Sequence, residues 1–206
     1  MDLIKIIIDS DGEVGKEYLE LAIDEFLKDG ILKDIPVVNT LTSVFKTGKN
    51  IRDAYFYKKL TYFLYHMNEI PSEERKKFYE KSIKDDKNFG EKLIYTLENL
   101  DEYKKAEYLA KLYIAYSYDR INYQDFRRLS IALGQLFIDD IEYIKDHIEE
   151  KTVKGIIGRS LNNVGLARKL TIVEGESLSI DFKEIEEPFE FTLLARKLND
   201  CLYKVD

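Results

Sequence analysis

Apolar residues return with helical spacing along most of the chain. Phe56, Leu60, Phe63, Leu64 and Met67 form one stripe, Leu93, Leu97 and Leu100 a second, and Leu109, Leu112, Tyr113 and Tyr116 a third. The longest runs through Leu129, Leu133, Leu136, Phe137, Ile141, Ile144 and Ile148. Lys and Glu alternate between these positions, as on solvated helix faces surrounding core-facing seams. The spacing predicts helices over 16–29, 36–47, 49–68, 72–82, 88–100, 102–118, 123–149 and 152–165. Boundary residues agree. Gly30 can take a left-handed cap after Lys28-Asp29, and Pro36 suits a first helical turn. Ser72 stands as N-cap ahead of Glu73 and Glu74, and Asn122 stands three residues before Asp125.

After Leu166 the pattern changes. Leu170-Thr171-Ile172-Val173 and Glu190-Phe191-Thr192 have strand character, and an acidic stretch with Gly175 and Pro188 separates them. A final helix is expected over 193–203. The order helix, Gly165-Leu166, strand, loop, strand, helix resembles the second half of a winged-helix domain. The expected fold is therefore mainly α: a multi-helix bundle-like body over 1–122, and a helical, winged-helix-like part over 123–206 containing a short β-hairpin. The two parts are expected to pack as one unit.

Composition limits the function classes. With 45% hydrophobic and 13% aromatic residues in 206, there is material for a packed interior and too much for disorder. The net charge of −7 gives no global attraction to nucleic acid or anionic lipid. Cys201 has no cysteine to pair with, which suits a reducing cytoplasm, and it reads as a small buried hydrophobe on the last helix. The N-terminus lacks the basic region of a signal peptide, and no apolar run approaches the roughly 18 residues of a transmembrane span.

One charge cluster stands out. Lys151, Lys154, Arg159, Arg168 and Lys169 lie in a stretch, 151–173, that has no acidic residue. In a winged helix such a surface can contact phosphates. The following segment, 174–190, holds seven acidic residues and one lysine, and would repel a DNA backbone. The other reading of the cluster is a basic helix balancing an acidic body.

Catalytic chemistry is sparse. Ile6-Ile7-Ile8-Asp9-Ser10-Asp11-Gly12 looks like the first motif of haloacid-dehalogenase-type phosphatases, in which Asp9 and Asp11 would bind Mg²⁺ and attack phosphorus. The alternating βα pattern that motif needs is missing, and a polar turn is the other reading. His66 and His147 each precede a carboxylate by three residues (Glu69 and Glu150), the reverse of the di-iron order. Gly155-Ile156-Ile157-Gly158 reads as a bend or a close contact. The tyrosines 55, 57, 62, 65, 113, 116 and 118 could stack bases, but their spacing among leucines favours packing. No cofactor and no resident metal are expected.

Several further stretches act together: Asp29-Gly30-Ile31-Leu32-Lys33-Asp34-Ile35-Pro36, Lys46-Thr47-Gly48-Lys49-Asn50-Ile51-Arg52-Asp53, Pro71-Ser72-Glu73-Glu74-Arg75 and Tyr123-Gln124-Asp125-Phe126-Arg127-Arg128-Leu129. With them the chain resembles a group of bacterial and prophage helical proteins similar to the abortive-infection alpha type of phage defence. The resemblance covers most of 15–200. It implies a helical body with a winged-helix-like end in a phage-defence or mobile-element setting, and it carries over no site residues. The expected function is a non-enzymatic interaction protein acting through a protein partner or self-association. The alternatives are a winged-helix DNA-binding regulator using 151–169 and a Mg-dependent phosphatase using Asp9 and Asp11. The nearly uncharged segment 30–48 is either a buried helix or a face for self-association or a membrane surface.

Overall fold

The apolar stripes do form helices. The computed structural model describes residues 54–68, 70–150, 152–170 and 187–204, with a short helical stretch at 17–18 and 21–24. Asp9, Asp11, the segment 30–48, Glu69, Lys151 and the strand residues Thr171, Ile172 and Val173 lie outside the described residues. The described elements are α1 (Ala54–Asn68), α2 (Ser72–Asp85), α3 (Phe89–Asn99), α4 (Lys104–Ser117), α5 (Tyr123–Gln135), α6 (Ile138–His147), β1 (Val153–Lys154), α7 (Gly155–Asn163), β2 (Ala167–Lys169), β3 (Pro188–Phe191) and α8 (Leu193–Tyr203). The protein is mainly helical, with a short antiparallel sheet in a winged-helix-like end. Among the described residues no helix is long and apolar enough to cross a membrane.

The chain separates into two compact units, Met1–Gly134 and Gln135–Asp206. In the first, α1 packs along α4. Leu60, Phe63, Leu64 and Met67 of α1 and Ala106, Leu109, Leu112 and Tyr113 of α4 are all buried, and the Phe63 and Tyr113 rings lie 6.4 Å apart. Even the lysines of α1 are drawn in. Lys59 is 2% exposed, and its Nζ donates to the carbonyls of Glu98 (2.6 Å) and Leu100 (2.7 Å). A buried cation thus satisfies the end of α3, where helical carbonyls have no partner of their own. Lys105, fully buried, donates to Asp101 at 2.5 Å, and the Tyr55 hydroxyl donates to the Asp101 carbonyl at 2.6 Å. Three side chains therefore fasten the short turn between α3 and α4.

Four of the seven highlighted tyrosines (57, 62, 113 and 116) are buried. Phe89, Tyr116 and Phe126 form a stacked group at centroid spacings of 5.4–5.9 Å, and Tyr113 leans on Phe89 at 5.5 Å. Because Phe126 joins this cluster, α5 belongs to the first unit.

The cap of α2 and the helix expected over 123–149 differ from the sequence expectation. α2 begins at Ser72 itself, with the Pro71 carbonyl accepting from the amides of Glu74 and Arg75, both at 3.0 Å. The single helix expected over 123–149 is two helices. Phe137 is extended (ψ 152°) and 70% exposed, and its carbonyl accepts from Asp140 (3.2 Å) and Ile141 (3.3 Å) to start α6. Asp139 and Asp140 then sit at the positive end of the new helix. The Asn122 cap is present, its Oδ1 accepting from the Asp125 amide at 2.9 Å.

In the second unit the sheet order is β1-β3-β2, antiparallel throughout. The extra strand β1 occupies residues expected to begin a helix. Val153 pairs with Phe189 and is buried, and Gly155, at φ +68°, turns the chain from strand into α7. Phe189 and Phe191 of the middle strand face inward, while Pro188 and Glu190 alternate with them. Pro188 is tolerated in a central strand because it is the first residue. Gly165 closes α7 as a Schellman turn: Leu166 donates to Leu161 (2.8 Å) and Gly165 to Asn162 (3.1 Å), with φ +78° at the glycine. Thr192 then ties α8 to that turn. Its Oγ1 donates to the Gly165 carbonyl (2.8 Å) and accepts from the Ala195 amide (3.3 Å). Ser160 donates to the buried Asp140 at 2.6 Å, joining α7 to α6. Cys201 is buried on α8.

Candidate interaction surfaces

The basic cluster is divided by the fold. Lys154 lies on β1, Arg159 is exposed on α7, and Arg168 and Lys169 are exposed on β2. The antiparallel register sets Arg168 opposite Glu190, and the two form an ion pair. Lys169 pairs with Glu187 at 2.6 Å. The hydrogen bond from Lys169, and then the positive charge of Arg159, hold the Glu187 carboxyl below the usual carboxylate range. Acidic residues that would repel DNA instead occupy cations that would contact it. A phosphate would have to displace a carboxylate from Arg168 and from Lys169, each pair being exposed and individually weak.

Each histidine lies beside a carboxylate, which for His147 is the Glu150 that its sequence spacing offers. His66 Nε2 lies 3.8 Å from Glu107, and His147 stacks on Tyr143 at 3.8 Å with Glu150 3.9 Å away. Among the described residues no three His, Cys, Asp or Glu side chains gather in one place. Gly155 makes a bend and Gly158 a close contact, the latter with Phe189 of the sheet.

A second surface was not singled out by sequence. α3 and α5 run side by side in the same direction: Phe89 meets Tyr123 and Phe126 at one end, and Gly134 lies against the Asn99 carbonyl at the other. The ring cluster works as a spacer. Between the helices it leaves a cleft of about 220 Å³, floored by Phe89, Leu93 and Phe126. Tyr95, 69% exposed, and Ile131, 54% exposed, form its lips. Thr96 and Ser130 also line it, but each hydroxyl donates to a carbonyl of its own helix, Lys92 at 2.8 Å and Phe126 at 2.7 Å.

The two charged lining residues, Lys92 and Arg127, are both cations. Lys92 is committed to Asp86, which also accepts from the Tyr123 hydroxyl and from the Asn88 amide at 2.9 Å. Asp86 therefore pins the start of α3 to the start of α5. The hydrogen bond from Lys92, followed by that from Tyr123, brings its carboxyl down to about 2 from an ordinary 3.8. The folded state binds this proton less tightly than the unfolded state does. Its stabilisation is complete above pH 3.8 and is lost as pH falls from there toward about 2. Water reaches the pair, so the contribution is on the order of 1 kcal/mol. Asp86→Asn is expected to lower stability by that amount at neutral pH and to flatten the acid limb of a urea-unfolding series; an unchanged limb would contradict the clamp.

Arg127 differs from Lys92. Its guanidinium lies 5.9 Å from the Tyr123 ring and makes no ion pair or hydrogen bond among the described residues. Tyr95 and Ile131 share a signal that could have marked the cleft beforehand. Each is a large apolar residue lying off the buried stripe of its own helix, away from Leu93 and Leu97 in one case and Leu129 and Leu133 in the other. Compared with known proteins, the chain matches no family model, no curated protein and no solved structure.

Proposed function

We propose that this protein is a non-enzymatic interaction module, binding a protein partner or a second copy of itself in the cytoplasm, in the phage-defence or mobile-element setting that its sequence resemblance implies. The observation that carries this reading is the α3–α5 cleft. It has an apolar floor, a large exposed apolar residue on each lip, and lining hydroxyls whose protons are already committed. Exposed aromatic and branched apolar residues around a preformed recess are the raw material of interface hot spots. Winged-helix DNA recognition is the second reading, favoured by the element order α6-β1-α7-β2-β3-α8 and by exposed Arg159. The Arg168–Glu190 and Lys169–Glu187 pairs weigh against it.

Light scattering on the eluting full chain, with analysis of what co-purifies from its host, tests the first reading. Self-assembly or a stoichiometric protein partner is expected. A strict monomer with no co-purifying protein would sink it. A salt-dependent mobility shift with genomic fragments tests the second, and binding untouched by Lys154→Glu with Arg159→Glu would remove α7 from consideration.

A further inference from the structure

We infer that the α3–α5 cleft recognises a segment of a partner protein that presents one large apolar side chain with a carboxylate beside it. The inference rests on the interaction-module reading and specifies the partner's chemistry.

Size comes first. At about 220 Å³ the cleft falls below the roughly 300–1,000 Å³ of pockets that enclose whole small-molecule ligands. It matches a single anchoring side chain, with the rest of the occupant lying across the lips. The floor sets the anchor's character. Phe89, Leu93 and Phe126 are apolar and buried, and the hydroxyl protons of Thr96 and Ser130 are already donated. A polar group pushed into this recess would lose water and gain little.

Charge sets the neighbour. Among the described residues no carboxylate lines the cleft, and the two charged side chains that do are both positive. Asp86 already neutralises Lys92, whereas the Arg127 guanidinium has no carboxylate among the described residues. A planar guanidinium held beside an apolar recess is suited to bidentate pairing with a carboxylate. Among the described lining residues, one cation without a carboxylate is too little for a nucleic-acid backbone, whose affinity grows with the number of phosphates neutralised. The exposed Tyr95 and Ile131 then offer contact on both sides of the anchor, as in recognition of an amphipathic segment by a groove.

The test is selection of a random peptide-display library on the immobilised full-length protein, followed by affinity measurements on the selected peptides. Selected sequences should converge on an aromatic or leucine side chain with Asp or Glu nearby. Arg127→Glu should weaken them by roughly tenfold or more, and Arg127→Lys by less. Tyr95→Ala with Ile131→Ala should weaken them comparably. All three positions are exposed, so unchanged circular dichroism and melting will show that these variants remain folded. Selected peptides without an acidic residue, affinity indifferent to Arg127→Glu, or no enrichment at all would overturn the inference. If the chain nevertheless self-associates or retains a protein partner in light scattering, and Arg127→Glu leaves that association intact, the interaction-module reading stands and only the cleft assignment falls.

Discussion

Gly158→Val is expected to disrupt the fold of the C-terminal unit, and Gly158→Ala to destabilise it by about 2 kcal/mol. A Cβ at residue 158 would lie 2.4 Å from Cδ2 of Phe189 and 3.1 Å from two further ring atoms. Phe189 has little room to yield. It is buried, and it occupies the middle strand, opposite Val153 on one side and Lys169 on the other. Overpacking of this kind costs roughly 1–3 kcal/mol, and the better helix propensity of alanine returns at most about 1. Valine adds two methyl groups and a stiffer χ1, so its cost exceeds that of alanine. Urea unfolding followed by circular dichroism measures the loss. Hydrogen exchange should place it in 153–169 and 188–203 and leave α1 and α4 protected. Phe189→Leu should be less damaging in the Gly158→Ala background than in the wild type, because the two residues share one space. Strict additivity would refute the contact.

The second large effect is at Lys59. Lys59→Met should cost on the order of 3 kcal/mol, since hydrogen bonds to charged groups contribute roughly 1.5–3 each and their loss strands carbonyls that water reaches poorly. Methionine matches the stem of lysine in length, so packing is nearly kept while the carbonyls of Glu98 and Leu100 lose their donor. Urea unfolding followed by circular dichroism measures the loss, and a Lys59→Met variant as stable as the wild type would refute the role of the two hydrogen bonds.

The helices were legible because they bury apolar stripes, and every residue of those stripes except Phe137 is buried. The long stripe misled at one point. Leu133 and Ile141 are both buried in their own units, so the apolar pattern runs across a break made by the backbone at Phe137. The Asp139-Asp140 pair carried the warning, since acidic residues collect in first turns. β1 escaped because two residues cannot show a period. The basic cluster was visible as composition, but its neutralisation depends on the register that sets Arg168 against Glu190 across residues distant in sequence. The cleft was invisible for a similar reason. It is made by rings from three helices, and only their assembled thickness separates α3 from α5.

That ring cluster also gives the molecule its own optical reporter. The chain has fifteen tyrosines and no tryptophan, so its near-ultraviolet signal is tyrosine. Burial, reinforced by hydrogen bonds to Asp85 and Asp86 respectively, raises the ionisation of Tyr116 and Tyr123 above that of free phenol, and burial alone does so for Tyr113. The folded state keeps these protons while the unfolded state releases them near pH 10, so stability falls as pH climbs past that point. An alkaline absorbance titration should therefore show a delayed step from the cluster, whose lag measures how fast the core opens.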